Sequence, residues 1–413
     1  MTTTPKAVKA DARWSIAAKE IVSGGAFRAF LSVLLGFVVG ALFMVGSNEE
    51  FLKALSYFTA RPTDALTAGW GAIADGYAAL FRGSIYNYNA DNLVAALRPI
   101  TETLRFAAPL IAAGLGVALA FRVGLFNIGA SGQILFGALA ATAVSTRVEL
   151  PWGIHLVVAA VTAIIASAAY GALVGFLKAR TGAHEVIVTI MLNYIAAGLL
   201  TFAFRQESLL RETGGGGTPK SDAPAETAQL PLLLGDSYML HAGIVLALVA
   251  VVIYWWLMER STIGYRFRMV GHNADAARTA GINVELTFVA AMAVSGAFVG
   301  LAAINQALGA RAGLTPDIDG SIGFDAITVA LLGSSTAPGV LLAGLLFGAF
   351  KAGAPSMQVI GLSPEVTGVV QGFIVLFIAA PPLIRAIFRL PAPQKTTVVA
   401  DWWARLTRKK AAK

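Results

Sequence analysis

The chain has 413 residues, of which 57% are apolar and only 13% charged. Soluble domains carry roughly a quarter of charged residues to form their shell, so an ordinary globular fold is excluded. With no cysteine, disulfides, thiolate metal sites and cysteine nucleophiles are excluded too. The net charge of +8 raises the question of nucleic acid, and the placement of the charges answers it below.

The N-terminal residues 1–28 are polar, with no cleavable signal peptide evident. The first apolar run, 29–45, lacks a small-residue cleavage site after it and reads as a retained first span. A membrane-crossing helix needs about 20 mostly apolar residues. Further runs of that kind lie at 104–121, 154–176, 186–204, 241–257, 286–308 and 366–384. Two more apolar regions, 126–144 and 322–350, are interrupted by glycine or proline. The segment 49–100 spaces aromatic residues among polar ones, which predicts an amphipathic helix at the membrane interface. The segment 206–230, with four consecutive glycines, reads as a flexible loop.

Basic residues of membrane proteins concentrate on the cytoplasmic side. Lys6, Lys9, Arg13, Lys19 and Arg28 place the N-terminus there. Alternation of spans then puts Arg122, Lys178, Arg180, the loop 259–285 and the basic C-terminal tail 389–413 on the same side. Acids such as Glu49, Asp64, Asp222, Asp236, Asp317 and Asp319 fall outside. The positive charge is thus mostly topology, and no nucleic acid is expected as a partner. Both termini inside require an even number of crossings. Residues 322–350 contribute two short crossings or one re-entrant hairpin, giving ten or eight.

The predicted fold is an all-α polytopic transmembrane helical bundle of about 8–10 spans. Its domain, 29–388, divides into halves of about 29–204 and 239–388. An odd number of spans in each half makes them inverted repeats. The two broken helices take the third position in each half, where transporter pathways are commonly built. Broken helices are tolerated at depth only when buried in protein or lining a cavity.

Gly124-Leu-Phe-Asn-Ile-Gly-Ala-Ser-Gly-Gln133 brings the amides of Asn127 and Gln133 to the first break. They line a pore for a polar solute or make interhelical hydrogen bonds, and spacing leaves both open. Glu185 starts the span 186–204, where a helix dipole favours a carboxylate; the alternative is a gating role. Asn193 and Tyr194 lie deeper in that span, and Asn305 and Gln306 sit similarly in 286–308. Asp325, the most embedded carboxylate, either caps a half-helix or contacts solute. In the loop 259–285, Asn273 caps a short alanine-rich helix that Gly281 stops. That helix is a small-residue docking face or a mere surface helix. The only P-loop-like stretch, at 214–221, has Pro219 where glycine is required. The four histidines show no metal-ligand spacing. Nothing in the pattern calls for a cofactor, a metal or an enzymatic centre.

Phe126-Asn-Ile-Gly-Ala-Ser-Gly-Gln133 resembles the corresponding element of permeases in the branched-chain amino acid, simple sugar and nucleoside importer superfamily. Glu185-Val-Ile-Val-Thr-Ile-Met-Leu-Asn-Tyr194 is similar to the nucleoside and simple-sugar branch. Val270-Gly-His-Asn273 through Gly281-Ile282 resembles its coupling loop, with His272 where an acidic or apolar residue is more usual. Gly323-Phe-Asp325 through Gly333, with Pro338-Gly339, resembles the late broken segment. The likeness spans about 100–385, with the motifs in order.

It implies the permease subunit of an ATP-binding cassette importer in a bacterial plasma membrane, for nucleosides or, second, simple sugars. It implies three partners: a separate ATPase subunit, an external solute-binding lipoprotein and a second permease chain, identical or homologous. The substrate pathway is expected at Asn127, Gln133, Asn193, Tyr194, Asn305, Gln306 and Asp325, the polar residues placed within the spans and breaks. ATPase coupling falls to Arg268, Gly271, Asn273, Ala276, Ala277 and Gly281. The rival reading is a secondary transporter or channel working without an ATPase.

Overall fold

The computed structural model describes residues 25–206, 208–212, 219–363 and 365–389. The expected terminal tails therefore lie almost wholly outside the described residues, as does the four-glycine run. The architecture is helical, and the described residues contain no β-strand, only one isolated bridge between Leu232 and His241.

Fifteen α-helices follow in order among the described residues. Before the first break come α1 (Gly25–Ser47), α2 (Glu49–Leu55), α3 (Pro62–Ser84) and α4 (Leu93–Arg122). After it come α5 (Ala130–Arg147), α6 (Ile154–Thr181), α7 (Glu185–Ala203) and α8 (Gly243–Arg260). Two short helices, α9 (Thr262–His272) and α10 (Ala274–Thr279), lead to α11 (Val284–Leu308). The chain ends with α12 (Ile322–Leu332), α13 (Ala337–Val359), α14 (Glu365–Ala379) and α15 (Pro381–Phe388). Seven of these are long and apolar enough to cross a membrane, or eight if the bent pair α14–α15 is one span.

The expected spans reappear with two corrections. The run 366–384 breaks between α14 and α15, which are bent by 91°. Pro381 and Pro382 lack the amide hydrogens that would carry a helix through this point. The region 322–350 becomes two unequal helices. With 11 residues, α12 is about 16 Å long, half the hydrocarbon thickness, whereas the 23-residue α13 spans it fully. α13 also continues nine residues past Phe350. α5 has 18 residues and is more polar than a lipid-facing span, which suits a helix largely enclosed by protein.

The centre of the bundle is α4, in which every residue from 107 to 120 is buried. A helix apolar on all sides is stable only when surrounded. α8, α11, α12 and α13 provide that surround. The most extensive helix pair is α6 with α11. Gly171 and Gly175 of α6 abut the backbone of α11 at Met292, Phe288 and Val289. In return, Gly296 and Gly300 of α11 abut Ser167, Ala168 and Ile164 of α6. Each helix thus carries two glycines four apart, the spacing that lets membrane helices meet at backbone contact.

α3 is the predicted amphipathic helix. Ala65, Gly69, Ala72, Gly76 and Ala79 form its buried face, while Leu66 and Trp70 point out. It lies against α1 and α13, and the Tyr77 hydroxyl donates to the Phe37 carbonyl of α1.

Gly323 should test the close packing that positions the broken helices, because a Cβ there would strike the backbone of Ser131. Gly323→Val is expected to lower stability by about 1–3 kcal/mol, the usual cost of overpacking. Gly198→Ala on α7, where space is open, should leave the melting temperature in detergent unchanged.

Candidate functional site: two broken helices that meet at their starts

The first break occupies residues 123–129, between α4 and α5. Gly124 turns the chain with a φ of 79°, a left-handed conformation that glycine adopts without strain. No water reaches the bilayer core, so each free backbone group there needs a protein partner. Side chains from α7 and from the break itself supply them. The Glu185 carboxylate accepts from the Phe126 N–H at 3.4 Å and pairs with Lys178 at 2.6 Å. Asn193 donates to the Ile128 carbonyl at 3.0 Å and accepts from the Gly132 N–H at 2.8 Å. Asn127 accepts from the Gly129 N–H at 3.0 Å and donates to Ser295 Oγ at 2.9 Å. Ser295 in turn donates to the Gly116 carbonyl of α4 at 2.7 Å.

Asn127 and Gln133 close on each other across the first break. Their amides bond to each other at 3.3 and 3.4 Å, and the residues are 0% and 1% exposed. In this conformation both side chains are engaged in hydrogen bonds within the bundle. Asn193 is half-buried and holds the break's backbone. Tyr194 is different: it is 72% exposed on the open side of α7. Asn305 is buried, donating to the Leu301 carbonyl. Gln306 donates to the Ile318 carbonyl at 2.7 Å, fixing the segment that leads into α12.

The second break carries the main surprise. Asp319, expected outside, accepts from Ser131 Oγ at 2.9 Å and from the Gly323 N–H at 3.1 Å. One carboxylate therefore links the first turn of α5 to the first turn of α12. Neighbouring Gly132 is bonded to Asn193, nine residues into α7 and about 12 Å from its first residue. The two half-helices consequently begin beside each other inside the bundle.

Asp325 does not cap α12; Asp319 does. The Asp325 carboxylate accepts from Ser321 Oγ at 3.0 Å and pairs with Lys351 of α13 at 2.8 Å. Lys351 also donates to the Gly320 carbonyl at 2.8 Å and to Ser321 Oγ at 3.1 Å. Residues 320–325 are thus tied to α13 by one ammonium group. Sequence reasoning missed Lys351, although a cation at the fifteenth position of an apolar helix is a signal in itself.

The loop at the opposite side of the first break completes the arrangement. Asn273 caps α10 by accepting from the Ala276 N–H at 3.0 Å, and Gly281 follows with a φ of 83°. Gly271 packs against the Arg122 carbonyl at the end of α4, and Gly124 faces Gly271. Arg122 pairs with Glu259, which stands 3.9 Å from Arg268. The loop therefore rests directly on the start of the break. Within α10, Ala276 is exposed but Ala277 is 0% exposed. Ala276 thus lies on the helix's outer face, while Ala277 belongs to the loop's own packing.

A part-buried carboxylate joining two broken helices, inside a bundle of membrane-crossing helices, marks a multi-pass membrane protein of the transporter class. The chain belongs to the branched-chain amino acid transport system / permease component family, whose model matches residues 100–379. It is 38% identical to the guanosine ABC transporter permease protein NupP of Bacillus subtilis over 86% of this chain and 94% of that one. It is 34% identical to the glucose ABC transporter permease protein TsgB13 of Haloferax volcanii, over 68% and 75%. The nucleoside ABC transporter permease protein NupB of Lactococcus lactis is 33% identical over 80% and 91%. Each of these organisms also holds a second, less similar permease, 25–30% identical over 262–280 residues. No solved structure matches the chain.

Asn127→Ala would strand the Gly129 N–H and the Gln133 amide in the packed interior. It should cost about 1–3 kcal/mol, read as a lower melting temperature of the purified protein. Tyr194→Ala, at an exposed position, should leave that temperature within error.

Proposed function

We propose that this chain is the permease subunit of an ATP-binding cassette importer carrying nucleosides, with simple sugars as the second substrate class. The observation that carries the reading is the family match, together with near full-length similarity to permeases named for guanosine and nucleosides. In this reading a separate ATPase subunit hydrolyses ATP and an external solute-binding lipoprotein delivers the solute. Both termini, the Arg122 end of the bundle and the loop α9–α10 face the cytoplasm of a bacterial cell. The basic residues gathered at that end support the orientation.

The second permease chain is a homologue rather than an identical copy. Three organisms each contribute one strong and one weaker relative, with matching names within each pair. That pattern fits two diverged subunits of one pore. The halves 29–204 and 239–388 act as inverted repeats, with α5 and α12 as their broken third helices.

The candidate pathway residues divide by environment. Tyr194, exposed on α7, is the solute-contacting candidate, since α7 packs mainly on α5 and α6 and leaves its other side free for a partner chain. Asn127, Gln133, Asn193, Asn305 and Gln306 act through the helices they fix. Asp325 acts with Lys351 as a tie on α12, released or kept as the pathway changes access. For coupling, Ala276 meets the ATPase. Arg268, Gly271, Asn273, Ala277 and Gly281 shape the loop and seat it on the break, so a push on α10 reaches residues 122–129.

Reconstitution with the second permease, the ATPase and the binding protein in vesicles should give guanosine uptake that requires ATP and no ion gradient. Uptake by this chain alone would overturn the reading in favour of a secondary transporter. Ala276→Trp should remove ATPase co-purification while the chain still inserts; undiminished co-purification would displace the docking site. Lys351→Met should uncouple the system, with ATP hydrolysis within about twofold of normal and uptake lowered at least tenfold. Restored uptake in Asp325→Asn/Lys351→Met, where no charge is left unpaired, would identify the ion pair as the cause.

A further inference from the structure

α1 and α13 touch at mid-height, where the Phe37 and Phe350 rings stand 5.7 Å apart. Towards their Arg28 and Thr336 ends the helices diverge, and no described side chain fills the gap. What remains is an open groove of about 580 Å³. Phe30 and Val33 form one wall, Leu342 and Leu346 the other, and Leu332 with Gly333 the floor. Close-packed protein leaves few voids larger than a water molecule, and a groove of this size matches those that hold organic ligands.

Ala29 and Ser334 also line a second chamber of about 200 Å³ that contains Arg28. The groove thus runs from an apolar trough to a guanidinium group. Arg28 Nε is buried and has no hydrogen-bond partner among the described residues. A buried donor left unpaired is costly, more so on a charged group. The Ser334 backbone turns there with a φ of 50°, and its side chain is exposed at the junction of the two chambers.

We propose that this crevice binds an anionic phospholipid, one acyl chain lying between α1 and α13 and the phosphate meeting Arg28. The trough is lipid-like in chemistry, and its rim residues Phe30 and Leu342 are 62% and 67% exposed on the bundle's outer surface. The charge at its end selects an acidic headgroup over a zwitterionic one. An apolar helix from another subunit would offer the Arg28 guanidinium no partner, whereas a phosphodiester in the adjoining chamber pairs with it. The inference is independent of the transported solute and of the ATPase.

The test uses the full chain, purified in detergent and offered phosphatidylglycerol, phosphatidylcholine of the same acyl chains, or glycerol 3-phosphate. Native mass spectrometry counts bound lipid, and thermal unfolding reports its effect. The wild-type chain should retain phosphatidylglycerol at least roughly fivefold over phosphatidylcholine, the scale of one basic residue at an anionic surface. Glycerol 3-phosphate should not stabilise it. Arg28→Gln should bring phosphatidylglycerol down to the phosphatidylcholine level. Leu342→Trp, an exposed change that fills the trough and keeps the charge, should abolish the retention of both. Four outcomes overturn the proposal: equal retention by the wild type, a preference that survives either substitution, stabilisation by glycerol 3-phosphate alone, or no bound lipid at all. The last would follow if a terminal segment of the chain itself occupied the groove.

Discussion

The bilayer core offers no hydrogen bonds, and the Asp319 carboxylate is this fold's response at its most exposed point. Two helices begin inside the bundle, each with first-turn N–H groups that the helix itself cannot satisfy. Asp319 takes one such group from α12 and the Ser131 hydroxyl from α5. Asn193, Asn127 and Glu185 do the same for the loop before α5. Remove the need to satisfy these groups and the remaining polar architecture has no reason to exist. The buried amides and the packing of α7 on α5 both serve the first chain break.

Much of the fold was legible because lipid imposes a simple rule on sequence. Length and apolarity set α1, α4, α6, α7, α8 and α11, and glycine or proline marked both broken regions. The Pro381–Pro382 break was visible as two letters, but the apolar run continues across it and masked the stop. Asp319 could not be placed from charge patterning. That method assigns an acid between spans to the surface, and only the half-length of α12 brings residue 319 inside. Hydrogen-bonding residues were recognised as unusual, yet whether Asn127 faces a passage or Ser295 depends on α11, 168 residues later in sequence. Tyr194 emerged as exposed for a related reason, because α7 leans on α5 and α6 and leaves its far side uncovered.

The loop between α8 and α11 joins the two ends of this account. Its glycines at 271 and 281 and its Asn273 cap are local features that sequence shows well. Its contact with Gly124 is not local, and it converts a surface loop into a support for the first break. Ala277 illustrates the same limit. Neighbouring alanines look alike in sequence, and one is sealed while the other faces out.

The four glycines between α6 and α11 have a mechanical meaning. They interlock one helix from each half of the chain at backbone distance, leaving no side-chain layer that could slide or compress. That pair therefore behaves as a fixed keel through the middle of the subunit. Any relative movement would fall elsewhere, on α7 at the periphery and on the two broken helices, whose starts are held by side-chain hydrogen bonds. The subunit is stiff along the seam that joins its halves and compliant where its helices are cut short.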